Sequence, residues 1–176
     1  MSAAEYSYSV VIEGSEYHFN ANHLVVFPCP DQGEDAWLGE PLHGHDYLVT
    51  LELSRALDSA GCVINFLEAQ RALRQTLTKW NYTTILALDA HCLDYVEKDE
   101  QIEITLQEKN RRRRWSVPCN SVVWLDASNA TAEEIARAVL TDFLETLLGV
   151  DADSTELIAT LTLQESPGSF VRVTRR

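Results

Sequence analysis

The chain has 176 residues, enough for one domain with a substantial core and too few for two comfortable ones. Its 45% hydrophobic and 23% charged content is that of an ordinary globular protein. A formal net charge of −13, from 14 basic against 27 acidic residues, argues against a nucleic-acid surface, because phosphate contacts need clustered Lys and Arg.

The opening MSAAEYSYSV carries no basic segment leading into an apolar run, so no secretory signal is expected. No apolar run approaches the length of a membrane span, and no membrane partner is expected. Cys29, Cys62, Cys92 and Cys119 show neither CxxC pairing nor regular spacing. They read as free thiols of a reducing compartment, and the cytoplasm is the expected location.

Residues 5–13 are rich in β-formers (Tyr6, Tyr8, Val10, Val11, Ile12) and read as a strand. A polar, Gly-rich loop follows over roughly 28–41, then a second strand beyond the pair His43 and His45. Along that strand Tyr47, Val49, Leu51 and Leu53 share one face. Asn65 opens a helix with Glu68 three residues on, and Phe66, Ala69, Leu73, Leu77 and Trp80 form its apolar stripe. Residues 101–108 and 112–117 suggest a hairpin, with Lys109-Asn110 and the run Arg111–Arg114 as its solvated tip, and a short strand at 121–125 follows. Thr131 and Glu134 form a second capping box, whose helix buries Ile135, Val139, Phe143 and Leu147 and ends at Gly149. LIATLTLQE then places Leu157, Ala159, Leu161, Leu163 and Glu165 on one strand face, and Ser166-Pro167-Gly168 turns into a last strand at 169–174. With no repeat and no linker, the order describes a single α+β domain over 1–176, built on an antiparallel sheet.

The stretch EPLHGHDY, residues 40–47, carries the chemistry. His43 and His45 are two apart, so on a strand both aim at the face that continues into Tyr47, Val49 and Leu51. Gly44 removes side-chain bulk from the opposite face and lets another segment approach. His23, at the end of FNANH, can supply a third nitrogen, and three histidines satisfy zinc while leaving one tetrahedral position open. Polar edge residues making hydrogen bonds are the other reading of the same three side chains.

In order along the chain stand Phe19–His23, His43–Tyr47, Gly61-Cys62-Val63-Ile64-Asn65-Phe66, Leu88-Asp89-Ala90, Ala130-Thr131-Ala132-Glu133-Glu134 and Glu165-Ser166. This ordered set resembles the 6-pyruvoyl-tetrahydropterin synthase and 6-carboxytetrahydropterin synthase family, whose motifs are F-x-A-x-H, H-G-H-x-Y, G-x-V-x-D-F, L-D-H, P-T-x-E-N and a late E-T or E-S. The resemblance covers nearly the whole chain. It implies a T-fold: a four-stranded antiparallel sheet with two helices on one face, here with an extra hairpin. It also implies subunits assembling into a barrel, as a homo-oligomeric trimer or hexamer with sites at subunit interfaces.

By the same resemblance His23, His43 and His45 bind zinc, and Glu165 anchors the pterin ring. One carboxylate can accept two parallel hydrogen bonds from a guanidine-like N–H pair, and Glu165 stands on the apolar face of its strand. For Thr131 two readings stand, capping of its helix alone and a pterin contact in addition.

Many members carry a catalytic cysteine four residues before the first histidine of H-G-H, where this chain has Gly39; Cys29 lies much further upstream. The order E-P-L-H-G-H instead resembles the E-x-x-H-G-H of the type III subgroup, in which glutamate replaces the cysteine. Glu40 is then the general base; one more acidic loop group beside Glu34 and Asp35 is the other reading of it. The family histidine after Asp89 is Ala90 here, with His91 one residue later, so the Asp–His proton relay is shifted or lost. Asn65 for aspartate and Glu134 for asparagine are milder departures.

The expected activity is a zinc-dependent lyase acting on the side chain of 7,8-dihydroneopterin triphosphate, with Glu40, Asp89 and His91 catalytic. Two alternatives stand beside it: 6-carboxytetrahydropterin synthesis in the queuosine and deazapurine pathway, and a catalytically weak pterin- or metal-binding paralogue.

Overall fold

The computed structural model describes residues 6–32, 36–108, 111–149 and 156–176. Residue 5 of the first expected strand, the acidic pair Glu34-Asp35 and the hairpin tip Lys109-Asn110 lie outside these. In chain order the strands before the first helix are β1 (Ser9–Ile12), β2 (His18–His23), β3 (Val26–Pro28), β4 (Trp37–Gly39) and β5 (His43–Ser54). Helix α1 (Phe66–Trp80) precedes β6 (Thr83–Ala87), β7 (Leu93–Lys98), β8 (Gln101–Glu108), β9 (Arg111–Pro118) and β10 (Val122–Leu125). Helix α2 (Ala132–Leu148) leads into β11 (Ile158–Ser166) and β12 (Ser169–Arg175). The fold is α+β and its ladders are mostly antiparallel.

Two compact units are distinguished. The first comprises the chain up to Phe19, Tyr47–Lys79 and the residues from Ala136 onward; the second comprises Asn20–Asp46 and Trp80–Ile135. In the first, β5 pairs antiparallel with β1 and β11, and β11 pairs with β12. Opposed pairs Val49↔Leu163 and Leu51↔Leu161 put fully buried side chains on one face, as the two-residue period requires. The stripes of α1 (Ala69, Leu73, Leu77) and α2 (Val139, Phe143) are buried as expected, while Leu147 of the latter is only partly buried. The two helices touch where the Thr76 hydroxyl donates to Thr146 Oγ1 at 3.4 Å.

Both caps form. The Leu67 N–H donates to Asn65 Oδ1 at 3.0 Å, and the Glu134 N–H reaches Thr131 Oγ1 at 3.5 Å. Gly149 ends α2 at φ 85°, and its N–H donates to the Glu145 carbonyl at 2.9 Å. Phe66 departs from expectation: as the first residue of α1 it is half exposed, and the buried stripe starts at Ala69.

In the second unit the order of hydrogen-bonded strands is β10-β6-β2, and β6 runs parallel to both β2 and β10. The four-stranded antiparallel sheet expected from sequence is therefore too small and misses these parallel strands. β6 reads TTILA and is buried at its last four positions, so it lacks the alternation that marks a one-sided strand. The expected extra hairpin is a three-stranded sheet, β7-β8-β9. Its inward residues Ile102, Ile104, Leu106 and Val117 join Leu24, Val26 and Leu86 in one apolar cluster. β4, inside the expected loop, pairs with β3 so that Gly39 faces Val26.

No described helix is long and apolar enough to cross a membrane. The four cysteines are free thiols.

Candidate metal centre

His23 ends β2, and His43 and His45 begin β5. Strand parity aims the latter two at one side, along which Tyr47, Val49 and Leu51 are buried. The three rings form a near-equilateral group with centroids 4.6, 4.8 and 5.1 Å apart. One ligand nitrogen from each lies within 4.8 Å of the others, in the one group of three or more potential ligands found among the described residues.

The tautomers follow from the neighbours. His23 Nδ1 lies 2.9 Å from the Ala130 carbonyl, and His43 Nδ1 lies 2.8 Å from that of Pro41. A carbonyl only accepts, so both Nδ1 atoms carry the proton and donate. The Nε2 atoms of the neutral rings are then bare, and they face each other at 3.2 Å. Two lone pairs at that distance repel unless a cation accepts from both. A tetrahedral zinc with bonds of about 2.0–2.1 Å holds its nitrogens roughly 3.3 Å apart. A proton shared between the rings is the competing solution, but His23 is 1% exposed. Burial above all, with the neighbouring His43 and His45 adding to it, lowers its pKa to about 4 against the bond to Ala130. Near neutrality the residues fit a metal ion, and carbonyl-anchored histidines are the usual support for one.

Two further features build this geometry, the first unseen in the sequence and the second the close approach expected at Gly44. Asn129 Oδ1 accepts from the Val26 N–H at 3.1 Å, and its Nδ2 donates to the Val26 carbonyl at 2.8 Å. The side chain so imitates a strand partner and fixes the Ala130 carbonyl that orients His23. The second feature is the close approach at Gly44, where a Cβ would lie 2.4 Å from Asn22 Oδ1 and 3.3 Å from the Ala21 carbonyl. An Asn ahead of a capping box was the only sequence signal for Asn129, and its partner is 103 residues away.

Glu40 is brought to the histidines: its Oε2 lies 3.4 Å from His43 Nε2, the nitrogen that could ligate a metal. Thr131 caps α2 beside Ala130. Asp89 and His91 lie outside the three-histidine group and are exposed. The Asp89 N–H donates to the Ala127 carbonyl at 3.2 Å, and the His91 ring stacks on Trp37 at 4.6 Å and 17°. Cys92 is raised in pKa by burial first and by Glu108 and Asp94, so its thiolate is suppressed. Within the first unit, Glu165 falls where the β11–β12 register shifts between Gln164 and Ser166. Burial first, and the Glu165 carboxylate next, hold the Tyr47 phenol in its protonated form.

Of the run Arg111–Arg114, expected as a solvated tip, three residues are exposed and Arg113 turns inward. Its guanidinium meets Glu108 Oε1 at 2.8 Å and stands over the Trp115 ring.

Solved structures share this fold. A 6-pyruvoyltetrahydropterin synthase from Plasmodium vivax matches with a TM-score of 0.82 and 23% identity, over 98% of this chain and 99% of that one. A variant of the same Plasmodium vivax protein, with a glutamate described as a catalytic residue replaced by alanine, matches at TM-score 0.82 and 22% identity over 98% and 99%. The Plasmodium falciparum protein of that name gives 0.80 and 22%, over 96% and 98%. No match is found among curated proteins. The sequence pattern described as 6-pyruvoyl tetrahydropterin synthase matches residues 14–176. With nearly the whole chain matched, this protein belongs to the 6-pyruvoyl tetrahydropterin synthase family.

Proposed function

We propose that this chain is a zinc-dependent lyase acting on the side chain of 7,8-dihydroneopterin triphosphate, giving 6-hydroxymethyl-7,8-dihydropterin or a related tetrahydropterin. The observation that carries this reading is the Glu40 carboxylate, 3.4 Å from the ligand nitrogen of His43. A base there reaches any hydroxyl brought to the three histidines. The Plasmodium vivax relative whose catalytic residue is a glutamate supports the same role for Glu40.

Zinc held by His23, His43 and His45 supplies a Lewis acid that makes a bound hydroxyl more acidic. Glu40 removes the proton from the hydroxyl on the outer of the two carbons whose bond is to be broken. That carbon becomes a carbonyl as the carbon–carbon bond breaks, and the carbon left on the pterin gains a proton. Glu165 accepts the paired N–H groups of the pterin, with the protonated Tyr47 phenol beside it, and Thr131 adds a hydroxyl contact. Asp89 and His91 assist proton transfer. In a homo-oligomer, a trimer or hexamer, neighbouring subunits would complete each site.

A second reading, a pterin- or metal-binding paralogue with little catalysis, is favoured by Ala90 and by the His91 ring stacked on Trp37. Incubation of the zinc-loaded protein with 7,8-dihydroneopterin triphosphate, with the product identified by mass, separates the two. The lyase reading expects product, and a loss of about 100- to 10,000-fold in Glu40→Gln. No product from the unaltered protein overturns the lyase and leaves the binding reading.

A further inference from the structure

The backbone that carries Glu40 is held at three points. On one side the Glu40 N–H donates to the Val25 carbonyl at 2.9 Å. On the other, the residue before it is gripped at both of its polar groups. The Gly39 N–H donates to Glu108 Oε1 at 3.3 Å, and the Arg113 guanidinium donates to the Gly39 carbonyl. Arg113 and Glu108 are themselves joined at 2.8 Å, with their side chains 14% and 8% exposed. Gly39 is seated against Leu106, which is fully buried and lies opposite Arg113 in the β8–β9 ladder.

We infer that the Arg113–Glu108 pair is a positioning clamp for Glu40. A charged pair taken out of water is costly to a fold, and apolar side chains of similar size often serve stability as well or better. A pair that spends its hydrogen bonds on one neighbouring residue therefore calls for a reason, and that residue leads directly into the carboxylate beside His43. Charge-assisted bonds to both Gly39 groups fix the two peptide planes that meet at its Cα, and with them the direction in which Glu40 leaves β4. A glutamate side chain has three rotatable bonds, so a base on an unfixed loop would spend little time at the 3.4 Å approach to His43. The clamp leaves those bonds alone but fixes their origin. The inference rests on the base role proposed for Glu40, and its test reads the clamp separately from that role.

The test compares the full-length, zinc-loaded protein with Arg113→Met, Arg113→Lys, Glu108→Gln and Arg114→Met, the last an exposed neighbour as control. Amide hydrogen exchange is read at Gly39 and Glu40. Arg113→Met and Glu108→Gln are expected to lose about 10- to 100-fold of the protection there, Arg113→Lys less, and Arg114→Met none. Equal protection in all four overturns the clamp, as does a loss spread evenly over the molecule in every variant that folds. If Arg113→Met does not fold, Glu108→Gln and Arg113→Lys decide.

Turnover of 7,8-dihydroneopterin triphosphate supplies the link to Glu40. Arg113→Met is expected to lower kcat with KM little changed, and to add nothing further in a Glu40→Gln background. Unchanged kcat, or full additivity with Glu40→Gln, overturns the positioning role. A protein without turnover overturns the lyase reading instead, and the exchange arm still decides the clamp.

Discussion

Gly44→Ala separates a generic effect from a site-specific one by sign. Glycine inside a strand is ordinarily a liability, and replacing it by alanine stabilises by about 0.5–1 kcal/mol. Here the new Cβ would stand 2.4 Å from Asn22 Oδ1 and 3.3 Å from the Ala21 carbonyl. The first obstacle is the end of a side chain and can rotate away. The second is backbone of β2, two residues before His23, and yields only if the strand shifts. We expect Gly44→Ala to destabilise the metal-free protein by about 1–2 kcal/mol in urea titration. A shift of β2 also moves His23 against His43 and His45, so zinc affinity by chelator competition should fall about tenfold. Asn22→Ala removes the first obstacle alone. The double variant Asn22→Ala, Gly44→Ala should therefore recover part of the loss and remain below Asn22→Ala. Gly44→Ala as stable as the parent, with unchanged zinc affinity, would refute the argument that close approach at residue 44 sets the ligand geometry.

Acid should weaken the metal-free protein through His23. Its pKa falls from 6.5 unfolded to about 4 folded, so the unfolded chain binds the proton more readily. The stability this reflects is complete above the unfolded value and is lost as pH drops from about 6.5 towards 4, by up to about 3 kcal/mol. Melting curves that stay flat across that window, or that slope equally in His23→Gln, would contradict it. Asn129→Ala strips partners from both polar groups of buried Val26, and should cost about 2–3 kcal/mol with a measurable loss of zinc affinity. Full zinc affinity in a destabilised Asn129→Ala would detach that residue from the centre. Gly39→Cys, which restores the family's usual cysteine position, puts a Cβ 2.5 Å from Leu106 Cδ2. It should destabilise by about 1–3 kcal/mol and yield no gain in turnover; a stable and faster variant would show that the thiol route remains open to this fold.

The parts of the structure visible in the sequence are those set by neighbours a few residues apart. Both helices declared themselves through stripes at spacings of three and four and through the caps at Asn65 and Thr131. β11 did so through strict alternation. His43 and His45 were paired by parity along β5. What escaped depends on distant partners. β6 is apolar at adjacent positions because it runs inside a sheet, parallel to strands whose sequence is far away. Arg113 looked like one more arginine in a solvated run, yet its partner Gly39 lies 74 residues off. Asn129 shares that fate. For the centre, the sequence supplied the ligand atoms, while the carbonyls of Pro41 and Ala130 that choose their tautomers are backbone and carry no residue signature.

Metal stoichiometry is the sharpest test of zinc at His23, His43 and His45. The purified protein, loaded with excess zinc and then dialysed, should hold about one ion per chain with affinity that falls steeply in His23→Ala, His43→Ala and His45→Ala. Circular dichroism of each variant should stay native. Zinc retained in full by all three variants, or no zinc bound by the parent at micromolar concentration, would contradict the account.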